Sequence, residues 1–283
     1  MRTGIIVASV LALGLCGCRP AADGQGKAEL VADVESIQPG VPFMAGLLIT
    51  LPEGWHTYWL NPGDSGMAPE LKWQLPDGFT TGPILWPAPK RFEDSSIVSF
   101  GYDRQVLLLQ EIRPPADLAV DREYTFELGA LWLVCRDTCE SKTGRFVLTL
   151  RALAGPAVAS ARWRELFQRT RAEVPKHDPA WKFRAVADDK VLSLFAAPPR
   201  DVGSMLIARS AFFPSVPNLV EYGEGAWKRA GDEYRLGMKR ISGGGPLPES
   251  LQGVLVPPGG QGVGAIEVDV ALDLGGAKAY TRT

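Results

Sequence analysis

Histidine occurs only twice and cysteine only four times in the 283 residues. A structural zinc site needs about four Cys or His ligands. His56 and His177 lie far apart in the sequence, so no metal is expected. Runs of lysine or arginine are also missing, and the 30 basic residues are offset by 32 acidic ones to a formal net charge of -2. Without a basic cluster there is no electrostatic footprint for a polyanion, and no nucleic-acid partner is expected. Gly243-Gly244-Gly245 is not followed by a lysine opening a helix, which excludes a phosphate loop. Gly63-Asp64-Ser65-Gly66 has the look of a serine-nucleophile loop, but its order relative to His56 is wrong for one, and Asn61-Pro62-Gly63 reads better as a turn. Beyond the leader no segment reaches the ~20 apolar residues that a membrane-spanning helix needs.

The first residues follow a different logic from the rest. Arg2 supplies a positive start, Ile5 to Leu15 form a short apolar run, and Leu15-Cys16-Gly17-Cys18 follows. This is the layout of an exported leader. The small Gly17 before Cys18 resembles a bacterial lipobox, so residues 1–18 are expected to be a lipoprotein signal with Cys18 as the acylated residue. Cys16 fits less well, because bulky Leu15 would sit at the cleavage site. An ordinary signal peptide cut near Ala21-Ala22 is the alternative. Acyl chains on Cys18 would attach the protein to a membrane. Residues 19–27, small and polar, read as a tether. Cys135 and Cys139 are then the cysteines of the body, in a compartment where disulfides persist.

Proline (23) and glycine (31) are abundant and punctuate short alternating segments. Leu30, Ala32 and Val34 alternate with polar residues, as do Phe43, Ala45, Leu47 and Ile49. Leu71-Lys72-Trp73 is a short strand, and Val106 to Ile112 is apolar enough for a buried one. Tyr124, Phe126, Leu128, Ala130, Trp132 and Val134 share one face of a longer strand; Phe146, Leu148 and Leu150 share another. The pattern predicts an immunoglobulin-like β-sandwich over 28–152. Helical spacing of Ala159, Trp163, Leu166, Phe167, Thr170 and Val174, between Pro156 and Pro175, predicts a linking helix over 156–174. Strand-like segments return at Trp181–Val186, Val191–Ala196, Ser204–Ala208, Glu233–Met238 and Ala265–Leu272, which predicts a second mostly-β domain over 180–283.

Cys135 and Cys139 would lie ~13 Å apart on a continuous strand, too far for a bond that wants Cα atoms at ~4.4–6.8 Å. The chain can bridge them only by turning. Alternation stops at Val134 and the residues up to Gly144 are polar, so the pair is expected at a hairpin end, with Cys139 in the loop and the next strand starting near Arg145. A ring this small constrains little unfolded-state entropy, which argues for chemistry rather than stapling. A static hairpin disulfide is the competing reading.

Five motifs occur in order: Trp55-His56-Thr57-Tyr58-Trp59, Asn61 to Gly66, Leu85-Trp86-Pro87-Ala88-Pro89, Phe100-Gly101-Tyr102, and Leu133-Val134-Cys135-Arg136-Asp137-Thr138-Cys139. Together they resemble the periplasmic N-terminal domain of the DsbD/ScsB thiol:disulfide interchange family. The match is good over about 28–152 and looser around Phe212-Phe213-Pro214 and Leu247-Pro248-Glu249. The resemblance implies an immunoglobulin-like domain whose Cys pair, here Cys135 and Cys139, carries electrons from a membrane-embedded donor to thioredoxin-like periplasmic proteins. It requires no metal or organic cofactor. It leans toward Cys139 as the residue forming the mixed disulfide. It implies a cap over the pair from the stretch 92–102, with Phe92, Phe100 and Tyr102 as candidates; Phe100 and Tyr102 are alternatively ordinary core aromatics. His56 and Tyr58 are candidate contacts beside the pair, and a cationic His56 would favour the thiolate. Since no membrane electron-transfer segment occurs in the 283 residues, electrons are expected from a separate membrane protein.

Overall fold

A computed structural model describes residues 26–200, 204–223, 225–243, 245–258 and 264–274. The leader, Cys18, nearly all of the tether and Gly244 lie outside the described residues. Among the described residues no helix is long and apolar enough to cross a membrane.

The first half is a two-sheet sandwich. One sheet runs Lys27–Ala32, Phe43–Thr50, Gln105–Arg113, Thr80–Thr81. The other runs Ser36–Ile37, Cys139–Ala152, Glu123–Cys135, His56–Gly63, Ile97–Asp103, Lys90–Asp94, with Glu70–Gln74 also on Glu123–Cys135. Period-two alternation explains the pairing of faces. Phe126, Leu128, Ala130, Trp132 and Val134 are buried, while the residues between them are half-buried. Leu47, Ile49 and Leu108 of the facing sheet meet all but Phe126 in one core, and Phe126 packs with Phe43, Ala45 and Ile112 in another. Cys139–Ala152 is a sheet edge for most of its length, since among the described residues its outer side is paired only at Arg151 and Ala152.

The continuous apolar run in Gln105–Arg113 has a two-sided cause. Val106 and Leu108 face the sandwich core, whereas Leu107 and Leu109 pack with Val31, Leu48 and Phe167. Phe167 belongs to the helix Arg164–Glu173, so this helix covers the outside of a sheet rather than merely bridging two units. It is also shorter than the spacing predicts. Val158 and Ser160 are bonded as backbone to Glu35 and Asp33, which holds the chain extended as far as Ser160, and a turn over 161–163 leads into the helix.

The second half forms one seven-stranded sheet, in the order Ala211–Pro214, Ser250–Val256, Ile266–Asp273, Lys182–Ala187, Val191–Ala197, Glu233–Lys239, Trp227–Ala230. Ser204–Ala208 is a short helix rather than the predicted strand, with Ile207 fully buried against this unit's core. A five-residue apolar stretch fits either element, and the tertiary context decides.

The two halves share a core. Phe100 packs edge-on against Phe213 (5.1 Å) and Tyr222 (4.9 Å), and Trp59 meets Phe213 at 6.3 Å. Asn61 is wholly buried there. Its Nδ2 donates to the Pro214 carbonyl (2.7 Å) and lies 3.1 Å from the Tyr222 hydroxyl, while its Oδ1 accepts from the Gly63 N–H (3.0 Å). The segment Asn61-Pro62-Gly63 is thus not a free turn. It is the irregular end of the strand His56–Gly63, where the register against Ile97–Asp103 shifts.

Candidate redox site

Glu123–Cys135 and Cys139–Ala152 pair antiparallel through Cys135 opposite Cys139. The loop between them is only Arg136-Asp137-Thr138, closed by the Arg136 N–H on the Thr138 carbonyl. Cys139 therefore opens the next strand instead of lying in a loop. Residues 140–144 are polar because they lie on an edge strand with none of them buried, not because the strand has ended. The turn brings the Cα atoms to 4.2 Å, and the two sulfurs are bonded.

The two cysteines differ in exposure. Cys135 is 2% exposed, whereas Cys139 is exposed. Cys135 also pairs with His56 on its other side, and the Thr57 hydroxyl donates to the Leu133 carbonyl (2.8 Å), which fixes that strand against the hairpin. Tyr58 comes from the same strand. Its hydroxyl donates to Cys135 Sγ at 2.9 Å and lies 3.5 Å from Cys139 Sγ. Burial raises the Tyr58 pKa, with hydroxyl interactions from Ser65 and Ser99 acting the other way. The phenol therefore keeps its proton and remains a donor.

An aromatic stack leads away from Tyr58. His56 meets it edge-on at 5.3 Å, and Phe92 lies flat on His56 at 4.8 Å. Burial lowers the His56 pKa, and its Nε2 is buried without a hydrogen-bond partner. The imidazole beside the pair is consequently neutral near pH 7, not the thiolate-favouring cation that the sequence invited. Arg136 lies outside, over the Trp55 ring at 5.5 Å and paired with Asp137 at 2.8 Å.

Phe92, His56, Tyr58, Cys135 and Cys139 are brought together. Phe100 and Tyr102 are not. They project with Val98 from one face of Ile97–Asp103 into the shared core, and the Tyr102 hydroxyl donates to the Pro87 carbonyl (2.8 Å). Alternation along a strand forces this, because Ser99, the residue between Val98 and Phe100, is the one acting on the Tyr58 hydroxyl. Neither aromatic is positioned as a lid over the sulfurs. Phe92, on the adjoining strand Lys90–Asp94, lies against His56 instead.

Sequence reasoning missed the support beneath Tyr58. A Cβ on Gly66 would lie 2.2 Å from the Tyr58 ring, and its φ of +104° already favours glycine. Asp64 holds this loop to Val98 by two backbone-directed bonds of 2.8 Å each. The signal was the quartet Gly63-Asp64-Ser65-Gly66, visible but readable only as a turn. No group of three or more His, Cys, Asp or Glu among the described residues is arranged to hold a metal.

The neutral His56 has a measurable consequence. The unfolded chain protonates it near its ordinary value of 6.5, the folded protein only at lower pH. In that window the unfolded state binds more protons, so stability falls as the pH drops from about 6.5 to below the folded-state value, and His56 adds no slope above it. His56→Phe is expected to flatten the acid side of a plot of Tm against pH. An unchanged slope in calorimetry would contradict a buried, neutral imidazole.

Residues 27–151 match the family described as the N-terminal domain of the thiol:disulfide interchange protein DsbD. The N-terminal periplasmic domain of ScsB from Proteus mirabilis aligns over 89% of this chain and 95% of its own, at 21% identity and a TM-score of 0.64, so the likeness in fold spans both halves. The sporulation control protein Spo0M from Bacillus subtilis aligns over 88% of this chain and 91% of its own, at 8% identity and a TM-score of 0.23, too low to support an argument. No curated protein matches the chain. The match at 27–151 encloses the hairpin, the bonded cysteines and the aromatics around them, and over this stretch the chain is homologous to the N-terminal periplasmic domain of the DsbD/ScsB thiol:disulfide interchange proteins.

Proposed function

We propose that the protein is a protein-disulfide reductase module in which Cys139 is the attacking sulfur and Cys135 the resolving one. The observation that carries this is the asymmetry of the pair: an exposed Cys139 is bonded to a buried Cys135 whose Sγ accepts from a tyrosine hydroxyl at 2.9 Å. In the reduced protein the Cys139 thiolate attacks a partner disulfide. A Cys139–partner bond forms, and the partner's other sulfur leaves as thiolate and takes up a proton. The Cys135 thiolate then attacks Cys139 Sγ, the partner's second sulfur leaves, and two electrons have passed to the partner. A membrane-embedded dithiol donor reverses the sequence to restore the reduced pair.

In each direction Cys135 must carry negative charge in a buried place. A neutral Tyr58 donor offsets that cost, since hydrogen bonds to charged groups are the strong ones. Phe92 and His56 add an apolar wall that limits approach to the sulfur from one side. Thioredoxin-like periplasmic proteins are the proposed electron acceptors. Acylation of Cys18 is the proposed attachment to a membrane.

The reduction potential tests this reading in the chain starting after Cys18. Equilibration with glutathione and thiol trapping should place the pair between roughly -120 and -270 mV, the range of exchange proteins. A value well below about -300 mV would mark a structural bond and sink the proposal.

A further inference from the structure

The second β-rich half has no cysteine, and among the described residues it contributes none to the aromatic stack beside the sulfurs. It nevertheless docks on the strands that carry the site. In His56–Gly63, Tyr58 turns to the cysteines, while its neighbours Trp59 and Asn61 turn to Phe213, Pro214 and Tyr222. In Lys90–Asp94, Phe92 turns to His56, while Arg91 donates to the Tyr222 carbonyl at 2.7 Å. In Ile97–Asp103, Ser99 acts on the Tyr58 hydroxyl, while Phe100 packs on Phe213 and Tyr222. All three strands thus have an active-site face and a docking face.

From this arrangement we infer that the second half is a buttress for the redox pair, and that Asn61 and Phe213 are positioning residues that set the Tyr58–Cys135 contact. The inference rests on the exchange reading above. Asn61 is the centre of the docking face. It is fully buried and its amide is satisfied by the Pro214 carbonyl, the Tyr222 hydroxyl and the Gly63 N–H. A buried amide of this kind holds backbone in one place, because any slip leaves polar groups unpaired. Pinning is needed here because the strand is irregular: its register shifts between Tyr58 and Gly63, so ladder bonds alone do not fix it. Only Trp59 and Leu60 separate Tyr58 from Asn61 in the chain. The Tyr58 ring is packed over Gly66 with no slack, so its hydroxyl can follow the backbone only as a rigid lever. A shift of about 1 Å would take a 2.9 Å contact outside hydrogen-bond range.

Loss of that donor removes stabilisation from the Cys135 thiolate and leaves the disulfide nearly untouched. The reduced form is then disfavoured and the thiol titrates at higher pH. Asn61→Ala and Phe213→Ala each remove part of the docking without touching the site. Leu192→Ala is the control, a fully buried residue of the second half's own core with no part in the docking contacts named above. All three lower Tm. Only the first two should shift the thiol–disulfide equilibrium with glutathione toward the oxidised form, by about tenfold, equivalent to ~30 mV for a two-electron couple. The same two should raise the pH at which the reduced thiols become alkylable.

The measurement uses the chain lacking its leader, which retains every described residue. The inference is overturned if Asn61→Ala and Phe213→Ala keep the wild-type equilibrium and titration, or if Leu192→Ala shifts them equally, since the effect would then follow stability alone. A wild-type pair that never equilibrates with glutathione would defeat the exchange reading itself, and this inference with it. Two shifted variants beside an unshifted control would establish the buttress.

Discussion

Replacing Cys135 with Ser yields a protein that captures partner disulfides and cannot release them, whereas replacing Cys139 with Ser yields one that captures nothing. Both variants lose turnover completely, because each two-electron transfer needs both sulfurs. The difference lies in what accumulates. Cys139 is exposed at the start of its strand, so in Cys135→Ser a mixed disulfide forms and no second thiolate is present to resolve it. Cys135 is 2% exposed and lies beneath the Tyr58 hydroxyl, so in Cys139→Ser the remaining sulfur is out of reach of a bulky partner. Mass spectrometry after mixing with an oxidised thioredoxin-like protein reads the outcome. A stable adduct on Cys139→Ser and none on Cys135→Ser would reverse the assigned roles. Adducts on neither would favour a structural bond.

The second large effect is expected from a residue without a side chain. Gly66→Ala places a methyl group 2.2 Å from the Tyr58 ring on a backbone with φ +104°. Strain at such a φ costs about 1–3 kcal/mol and overpacking a similar amount, so a loss of roughly 2–5 kcal/mol is expected in urea denaturation. The ring is 1% exposed and bounded by His56 on one side, so relief must come by moving the hydroxyl off Cys135. Exchange should therefore slow even where the variant is folded. Gly155→Ala supplies the contrast: a Cβ there meets nothing within 4 Å and the substitution should be silent. A Gly66→Ala protein as stable and as fast as the parent would mean that the Tyr58 contact is not held as described.

The parts of the fold that were legible in the sequence are those where alternation maps directly onto burial. Glu123–Cys135 announces itself because every second side chain from Phe126 to Val134 is buried. The hairpin at the cysteines was legible in outline, since the pair could bridge only at a turn. Its length was not, because residues 140–144 lie on an edge strand whose exposure permits polar residues throughout. The helix was placed too early because Ala159, the first residue of the helical stripe, is held extended by the bonds of its neighbours Val158 and Ser160 to Glu35 and Asp33, more than 120 residues away. Local pattern carries no information about such a partner.

The site divides along the same line. Cysteine spacing and the ordered motifs identify Cys135, Cys139, His56 and Tyr58 as a group. They do not reveal which face of a strand each aromatic takes. Phe92 and Phe100 look equivalent in the sequence, yet one lies against His56 and the other against the second half. Nor does spacing reveal the charge of His56, which depends on how much water reaches it. The role of Asn61 was hidden because Asn-Pro-Gly is a turn signal almost everywhere, and only the partner at Pro214 makes it a buried anchor.

The open edge beside Cys139 carries a hazard of its own. A sulfur that must meet other proteins sits at the head of a fourteen-residue strand, most of whose outer backbone is unpaired. Such an edge invites a neighbouring chain to add itself as a further strand. Along this one, Glu140, Lys142, Arg145 and Arg151 break up the apolar positions, and Glu140 and Lys142 form an ion pair immediately after the cysteine. Charge distributed in this way discourages self-association where the molecule is most approachable. A reactive tip is thereby left open to visitors on an edge that is guarded against further strands.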